Sequence, residues 1–281
     1  MKIKLALESA AAKFEKAGIE SALVDAEILL GHLLNLTRGE LQSKIFTDEE
    51  FSLVEEFEAL VAKRAERLPL QHLTGVAYFR RLALKVGPGV FIPRPETEVV
   101  TQIAVDALKA SGSAEPIAVD LATGSGAIAL SLAVEVPNAK VFAIELSEEA
   151  LKYTTQNFAE LAPDAVLVQG DLADAFPELN GTVDVLVSNP PYIPDEMIPI
   201  YPEVHLHDPS LALYGGAGGL DVVRKVEEAA RRLLRPGGSL IIEHADMQGE
   251  AVRELLLASG WRQVRTHRDL VGRDRATTAL A

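Results

Sequence analysis

The tetrapeptide Asn189-Pro190-Pro191-Tyr192 is the densest grouping of chemically useful residues in the chain. It ends the apolar run Val183-Asp-Val-Leu-Val-Ser188, which reads as a buried strand. Two consecutive prolines fix the local backbone and remove two amide donors, leaving carbonyl oxygens to accept. The Pro190 carbonyl and the Asn189 side-chain oxygen then form a pair of acceptors for the two hydrogens of a substrate NH2. Tyr192 offers a flat face to a planar group. Such a pair suits alkylation of an amide or an aromatic amine, whose nitrogen lone pair is delocalised and poorly nucleophilic. Two acceptors favour pyramidalisation and stabilise the positive charge that develops. They also hold the nitrogen along the line of attack. No strongly basic side chain is required, because the nitrogen becomes acidic once alkylated.

A second grouping, Asp120-Leu-Ala-Thr-Gly-Ser-Gly126, follows one apolar run and opens a helical stretch. Gly124 and Gly126 allow a tight turn and close approach of a ligand to the backbone, where a side chain would collide. Glu145 ends the next apolar run, 21 residues after Gly124. A carboxylate there accepts hydrogen bonds from both hydroxyls of a ribose, so strand, turn, helix and acid together predict a nucleoside-bearing ligand. Gly124-x-Gly126-x-x-Ala129 also satisfies the loose dinucleotide fingerprint, and this turn alone leaves a nicotinamide cofactor open. The Asn-Pro-Pro-Tyr turn argues against that choice, since hydride transfer has no use for paired amine acceptors.

Both groupings must be delivered to one place, and the ligands of open parallel sheets sit at the carboxyl ends of strands. Apolar runs at 117–122, 140–146, 165–171, 183–189 and 239–245 alternate with helical stretches near 126–135, 147–161, 219–235 and 247–259. That alternation predicts an α/β fold with a parallel sheet covered on both faces. Arg235-Pro-Gly-Gly238 is expected to stop the helix before it. The tail turns strand-like twice, at 261–270 and 274–281, and predicts an antiparallel pair at the sheet edge, for seven strands in all.

Residues 1–75 read as helices only. Ile3, Leu7 and Phe14 recur at helical spacing, Val24, Ile28, Leu29, His32 and Leu33 form one stripe, and Thr47–Glu50 reads as a capping box opening the next helix. Residues 78–86 alternate like a strand and Gly87-Pro-Gly-Val-Phe-Ile-Pro-Arg-Pro95 punctuates them, predicting a β-hairpin linker over 76–95. The expected division is 1–75, 76–95 and 96–281.

With 281 residues, 48% of them hydrophobic, the chain can bury a sizeable core. Its 41 acids exceed its 27 bases, and both 1–75 (9 bases, 13 acids) and 76–281 (18 and 28) are acidic. That balance counts against a duplex-DNA reader, whose affinity comes largely from phosphate neutralisation. The absence of cysteine excludes disulfides, thiolate zinc sites and a cysteine nucleophile. No apolar run approaches the about 18 residues of a membrane span, and the amphipathic opening is not a signal peptide, so a cytoplasmic protein is expected.

Other groupings carry less. His205 and His207 alternate beside Asp208 and, on an extended stretch, would point to opposite sides, so no metal site is expected. Glu243-His244 either lines the crevice or satisfies nearby backbone. Asp48–Glu58 reads as a solvated helix face. Ser125 lacks the spacing of a nucleophile elbow.

The arrangement resembles the class I S-adenosylmethionine-dependent methyltransferases, and in detail the bacterial release-factor glutamine methyltransferases. The likeness spans 69–98, 120–130, 188–193, 202–204, 212–221 and 267–275 in order. It implies a Rossmann-like catalytic domain behind a small helical bundle that recognises the substrate. It also implies methyl transfer from S-adenosylmethionine to the side-chain amide of the glutamine in the Gly-Gly-Gln loop of peptide-chain release factors, by a monomer without nucleic acid, membrane or metal. Carried over by position, Ala122, Thr123, Gly124, Ser125 and Gly126 hold the methionine and ribose part, Glu145 the ribose hydroxyls, and Asp171 and Leu172 the adenine. Asn189 touches cofactor and glutamine, and Pro190, Pro191 and Tyr192 complete the amide pocket. Arg94, Thr97 and Glu98 belong to the segment over the cofactor, with Arg94 toward substrate. Ala122 stands where glycine is commoner in that family, Leu172 where some members are aromatic, and His72 where tyrosine is frequent. A DNA adenine-N6 methyltransferase and a ribosomal-protein glutamine methyltransferase are the rival readings, because each presents a comparable planar NH2.

Overall fold

The computed structural model describes all 281 residues. Two units, each packed within itself, divide the chain: Met1–Val76 with Pro199–His207, and Ala77–Ile198 with Asp208–Ala281.

The first unit is helical. It comprises α1 (Ile3–Lys16), α2 (Ala22–Leu34), α3 (Arg38–Phe46), α4 (Val54–Ala65) and the single turn α5 (Leu70–Thr74). Ile3, Leu7 and Phe14 are buried against Leu29, Leu30, Leu41, Phe57 and Val61. Two local expectations change. The apolar face of α2 is rotated: Asp25, Ala26, Leu29 and Leu30 are buried, while Val24 and Ile28 are exposed. The cause is Arg64 of α4, whose Nε donates to Asp25 Oδ2 at 2.8 Å, so a buried ion pair sets the helix's inward face. The capping box lies at Thr37 and Glu40, opening α3; Thr47 ends that helix, and α4 begins only at Val54. Glu50 instead forms a β-bridge with Lys2.

The second unit begins with the hairpin strands β1 (Val76–Phe79) and β2 (Leu82–Lys85), followed by α6 (Thr97–Ala110). Phe79, Leu82, Leu84, Val90 and Ile92 are buried with Val100 of α6, so residues 77–92 are part of this unit's core. Next come β3 (Ile117–Leu121), α7 (Ala127–Glu135), β4 (Lys140–Glu145), α8 (Glu148–Leu161), β5 (Val166–Gln169) and β6 (Val183–Ser188). The chain then passes through α9 (Pro202–His207), which belongs to the helical unit, before returning at α10 (Ser210–Leu213). It closes with α11 (Asp221–Leu233), β7 (Leu234–Glu243), α12 (Gly249–Ala258), β8 (Arg262–Arg268) and β9 (Asp274–Leu280).

The seven-stranded sheet runs β5-β4-β3-β6-β7-β9-β8. Its first five members are parallel, and β9 enters antiparallel between β7 and β8. The architecture is the α/β sheet that the strand–helix alternation predicts, in the Rossmann-like form that the family resemblance implies. One local detail differs: Pro236-Gly237-Gly238 lies inside β7 instead of ending a helix, because the strand starts directly after α11. The register shifts there between Val183 and Val185, and a Cβ on Gly238 would meet the Val183 carbonyl at 2.9 Å. The glycine is a bulge residue.

Candidate active site

The parallel register brings the two groupings together. Leu121, the last residue of β3, pairs with Ile144 on one side and Ser188 on the other, and Glu145 pairs with Gln169. Ala122, Glu145, Asp171 and Asn189 therefore leave their strands at the same edge of the sheet. Between β3 and β6 the strand order reverses, which is where open α/β sheets part to admit ligands.

At the glycine turn Ala122 adopts φ +58°, the left-handed region that costs an L-residue about 1–2 kcal/mol. Glycine suits this position for that reason. The Thr123 hydroxyl donates to Asp120 Oδ2 at 2.6 Å, and the Ala129 amide at 3.1 Å holds the same oxygen. Asp120 is fully enclosed, and burial pushes its carboxyl up to about 7 despite those donors, with the charge of Glu145 adding to the rise. Glu145 takes the Gly124 amide on Oε2 and the Ser147 amide on Oε1, each at 2.8 Å, so its orientation is fixed by backbone. Burial raises its pKa. Thr154 of α8 donates to the Gly124 carbonyl at 2.5 Å and Asn157 to the Ser125 carbonyl at 3.0 Å, tying the turn to that helix.

The two glycines do different work. A Cβ on Gly124 would meet nothing within 4 Å, so open space lies where a ligand would come close. A Cβ on Gly126 would lie 2.8 Å from the Phe158 ring, so this glycine, at φ +87°, serves helix packing. The open side of Gly124, beside an enclosed carboxylate with unused lone pairs, fits the ribose end of S-adenosylmethionine. Farther along the edge, Asp171 accepts the Ala173 amide at 2.9 Å, while Leu172 is buried with Ile144 and Phe176.

At the tetrapeptide, Asn189 Nδ2 donates to the Thr97 hydroxyl at 3.3 Å. The Tyr192 carbonyl accepts from Gln248 Nε2 at 2.9 Å. The Pro191 carbonyl lies against Gly215, where a Cβ would come within 2.5 Å of it. A Cβ on Gly219 would approach the Tyr192 carbonyl to 2.1 Å. Of the four carbonyls of the tetrapeptide only that of Tyr192 accepts a hydrogen bond from the chain; the Pro191 carbonyl is packed against glycine, and that of Pro190 is left without a partner. The Tyr192 hydroxyl donates to Glu243 Oε1 at 3.3 Å, and burial next to that carboxylate raises the phenol's pKa.

Gly215, Gly219 and Gln248 support the turn from outside the two groupings that carry the chemistry. The signal was present in the cluster Gly215-Gly-Ala-Gly-Gly219, whose density of glycine announces a close backbone approach. Glu243 and His244 part company: Glu243 faces Tyr192, whereas His244 bonds Thr277 at 2.9 Å and the Ala245 carbonyl at 2.8 Å.

The segment before α6 is engaged elsewhere. Arg94 pairs with Asp208 and lies 4.9 Å over the Phe91 ring. Burial pushes Asp208 up to about 6 against the pull of that guanidinium. Glu98 accepts the Arg80 amide at 2.9 Å, anchoring the hairpin. Neither Arg94 nor Glu98 bonds the tetrapeptide; Thr97 alone of the three does. His205 and His207 lie on the helical α9, not on an extended stretch. In the helical unit, Glu203 of α9 accepts from Arg64 at 2.9 Å and Arg67 at 2.5 Å.

A family profile described as the PrmC N-terminal domain matches residues 6–75, and one described as the methyltransferase small domain matches 81–198. Among known proteins, a release factor glutamine methyltransferase of Streptomyces coelicolor is 51% identical over 265 residues, covering 94% of this chain and 92% of the relative. One of Bifidobacterium longum is 41% identical over 288 residues, covering 98% of each. A 4-amino-L-phenylalanine/4-methylamino-L-phenylalanine methyltransferase of Streptomyces pristinaespiralis is 40% identical over 260 residues, covering 91% of this chain and 87% of the relative.

Proposed function

This chain belongs to the release factor glutamine methyltransferase family, and we propose that it transfers a methyl group to the side-chain amide nitrogen (N5) of the glutamine in the Gly-Gly-Gln loop of peptide-chain release factors. One observation carries the reading: at the strand-order reversal, a doubly proline-locked turn leaves the Pro190 carbonyl without a partner next to the Asn189 amide. S-adenosylmethionine supplies an electrophilic methyl group on a sulfonium. Ala122–Gly126 and Glu145 are the residues to hold its methionine and ribose part, with Asp171 and Leu172 beside the adenine.

The Pro190 carbonyl and Asn189 Oδ1 each accept one hydrogen of the glutamine NH2, aligning the nitrogen and stabilising the charge it gains. The Tyr192 ring, with its hydroxyl tethered, forms the wall against which the planar amide rests. Arg94, held by Asp208, is proposed to line the approach to that pocket. The surplus proton leaves the alkylated amide readily, so none of these residues has to act as a strong base. The helical unit is proposed as the recogniser of the protein substrate, supported by the apolar residues Leu23, Val24 and Ile28 that α2 turns outward. On this reading the enzyme works as a monomer in the cytoplasm, where translation terminates; no helix is long and apolar enough to cross a membrane.

An aromatic amine is the second reading, favoured by the amino-phenylalanine methyltransferase relative and by the same need for two acceptors. Labelled S-adenosylmethionine decides between them when offered with intact release factor, the factor lacking that glutamine, 4-amino-L-phenylalanine, a ribosomal protein fraction and duplex DNA. Label is expected on the intact factor alone, with kcat/KM at least about tenfold above that of a short Gly-Gly-Gln peptide, since the peptide forgoes binding energy from remote contacts. Label on the amino acid, the ribosomal protein or the DNA instead would replace the reading. Equal turnover of peptide and factor would remove the helical unit's role.

A further inference from the structure

We propose that Glu243 is a positioning residue for the transfer: by ordering the two hydroxyls beside it, those of Tyr192 and Thr97, it fixes the Tyr192 ring and decides which end of the Asn189 side-chain amide faces the pocket. This rests on the glutamine-methylation reading.

Ser188 of β6 pairs with Ile242 of β7, so Asn189 and Glu243 are the next residues on neighbouring strands. Glu243 is wholly enclosed. Its Oε1 accepts from the Tyr192 hydroxyl, and the other oxygen, which no further group of the chain satisfies, is left to the Thr97 hydroxyl as the one hydrogen-bond donor near it. Four groups face it: the Thr97 hydroxyl from α6, the Arg275 guanidinium from β9, Glu96 from the segment before α6, and Tyr192 itself. Arg275 is held by Asp269 at 3.3 Å. The Thr97 oxygen is also the atom that accepts Asn189 Nδ2. The Glu243 carboxylate therefore stands behind both ends of the tetrapeptide, touching Tyr192 directly and Asn189 through Thr97.

An ionised carboxylate only accepts. It draws the hydroxyl hydrogens of Tyr192 and Thr97 toward itself, leaving the Thr97 lone pairs for Asn189 Nδ2. With Nδ2 so occupied, Oδ1 is the end presented to the substrate. A neutral Glu243 donates instead and turns the Thr97 hydrogen toward Asn189, which favours the flipped amide and puts a donor where an acceptor is required. Burial, with Glu96 adding and Thr97, Arg275 and Tyr192 opposing, pushes Glu243 up to about 7, so both forms are reachable in assay buffers.

Two readouts test this in the full-length protein, one of them independent of substrate. The first is the 1H–15N signal of the Asn189 side-chain amide followed from about pH 6 to 8.5, in wild type and in Glu243→Gln. The wild-type signal is expected to titrate with a midpoint near 7, and the variant's to stay flat. The second is kcat and KM on release factor. Glu243→Gln is expected to lose about ten- to a hundredfold in kcat at pH 8, the scale of a misplaced reacting group, with KM within about threefold. The rise of the wild-type kcat through pH 7 disappears in the variant. Thr97→Ser, which keeps the hydroxyl, retains the titration of the Asn189 signal, and Thr97→Val behaves as Glu243→Gln does. An Asn189 signal that does not titrate in wild type, or wild-type kcat and pH profile in Glu243→Gln, overturns the inference. If wild-type enzyme leaves the glutamine unmethylated, the substrate reading fails, and the amide titration still decides the role of Glu243.

Discussion

Asn189 and Ala122 illustrate how differently single residues serve this site. In the proposed transfer the Asn189 acceptor matters most when charge develops on the substrate nitrogen, so Asn189→Ala is expected to lower kcat by about a hundredfold or more while the Kd of S-adenosylmethionine moves only a few-fold. Single-turnover kinetics beside cofactor titration check the split, and equal losses in both would assign Asn189 to cofactor binding. Ala122 carries the opposite kind of effect, a strain in the resting enzyme. Ala122→Gly relieves a left-handed alanine at the expense of a looser unfolded chain, for a net gain of about 0.5–1 kcal/mol, seen as a Tm rise of roughly 2 °C. The position of the Asn-Pro-Pro-Tyr turn at the end of β6 was legible in the residues because two consecutive prolines cannot continue a buried strand. The tethers of that turn were not. Gln248 lies 56 residues from Tyr192 and Thr97 lies 92 from Asn189, and only the folded register brings them together.

Elements were predictable where hydrophobic period alone decides them and unpredictable where one polar contact overrides it. Four of the five apolar runs became the inner parallel strands because a strand buried on both faces has no polar alternative, while β5, at the sheet edge, is largely exposed and takes its place by pairing with β4. Helix α2 was misaligned because Asp25, polar by composition, is buried by its pairing with Arg64. Helix α4 opens at Val54 and not at the Thr47 capping pattern, because Thr-x-x-Glu occurs twice, at Thr37 and at Thr47, and only the first leads directly into a helix. Gly126 makes the corresponding prediction. Ala in its place meets both a left-handed φ and the Phe158 ring at 2.8 Å, so Gly126→Ala is expected to destabilise by about 2–4 kcal/mol in urea unfolding. Adding Phe158→Leu should return part of that loss by making room. No recovery in the double variant would mean that the ring is not the obstacle.

Across the whole molecule, the α/β order and the helical front were readable from residue pattern, whereas the membership of α9 in the helical unit was not. It depends on Glu203 meeting Arg64 and Arg67, more than a hundred residues away in sequence. The catalytic unit also stores charge in its interior, and that has a consequence for stability. Asp120 ionises near 3.8 in the unfolded chain and at about 7 in the fold. Its contribution is therefore complete below the lower value and is lost as pH rises to the upper one. The stability of wild type relative to Asp120→Asn is expected to fall by about 2–3 kcal/mol between pH 5 and 8, read from urea midpoints at each pH. A difference that is constant or grows with pH would show Asp120 to be ionised throughout. The most direct test of the whole account is a crystal structure with S-adenosylhomocysteine and a Gly-Gly-Gln peptide bound. The Pro190 carbonyl and Asn189 Oδ1 should each lie within about 3.2 Å of the glutamine side-chain nitrogen. A glutamine nitrogen held by other groups, with the tetrapeptide out of reach, would contradict it.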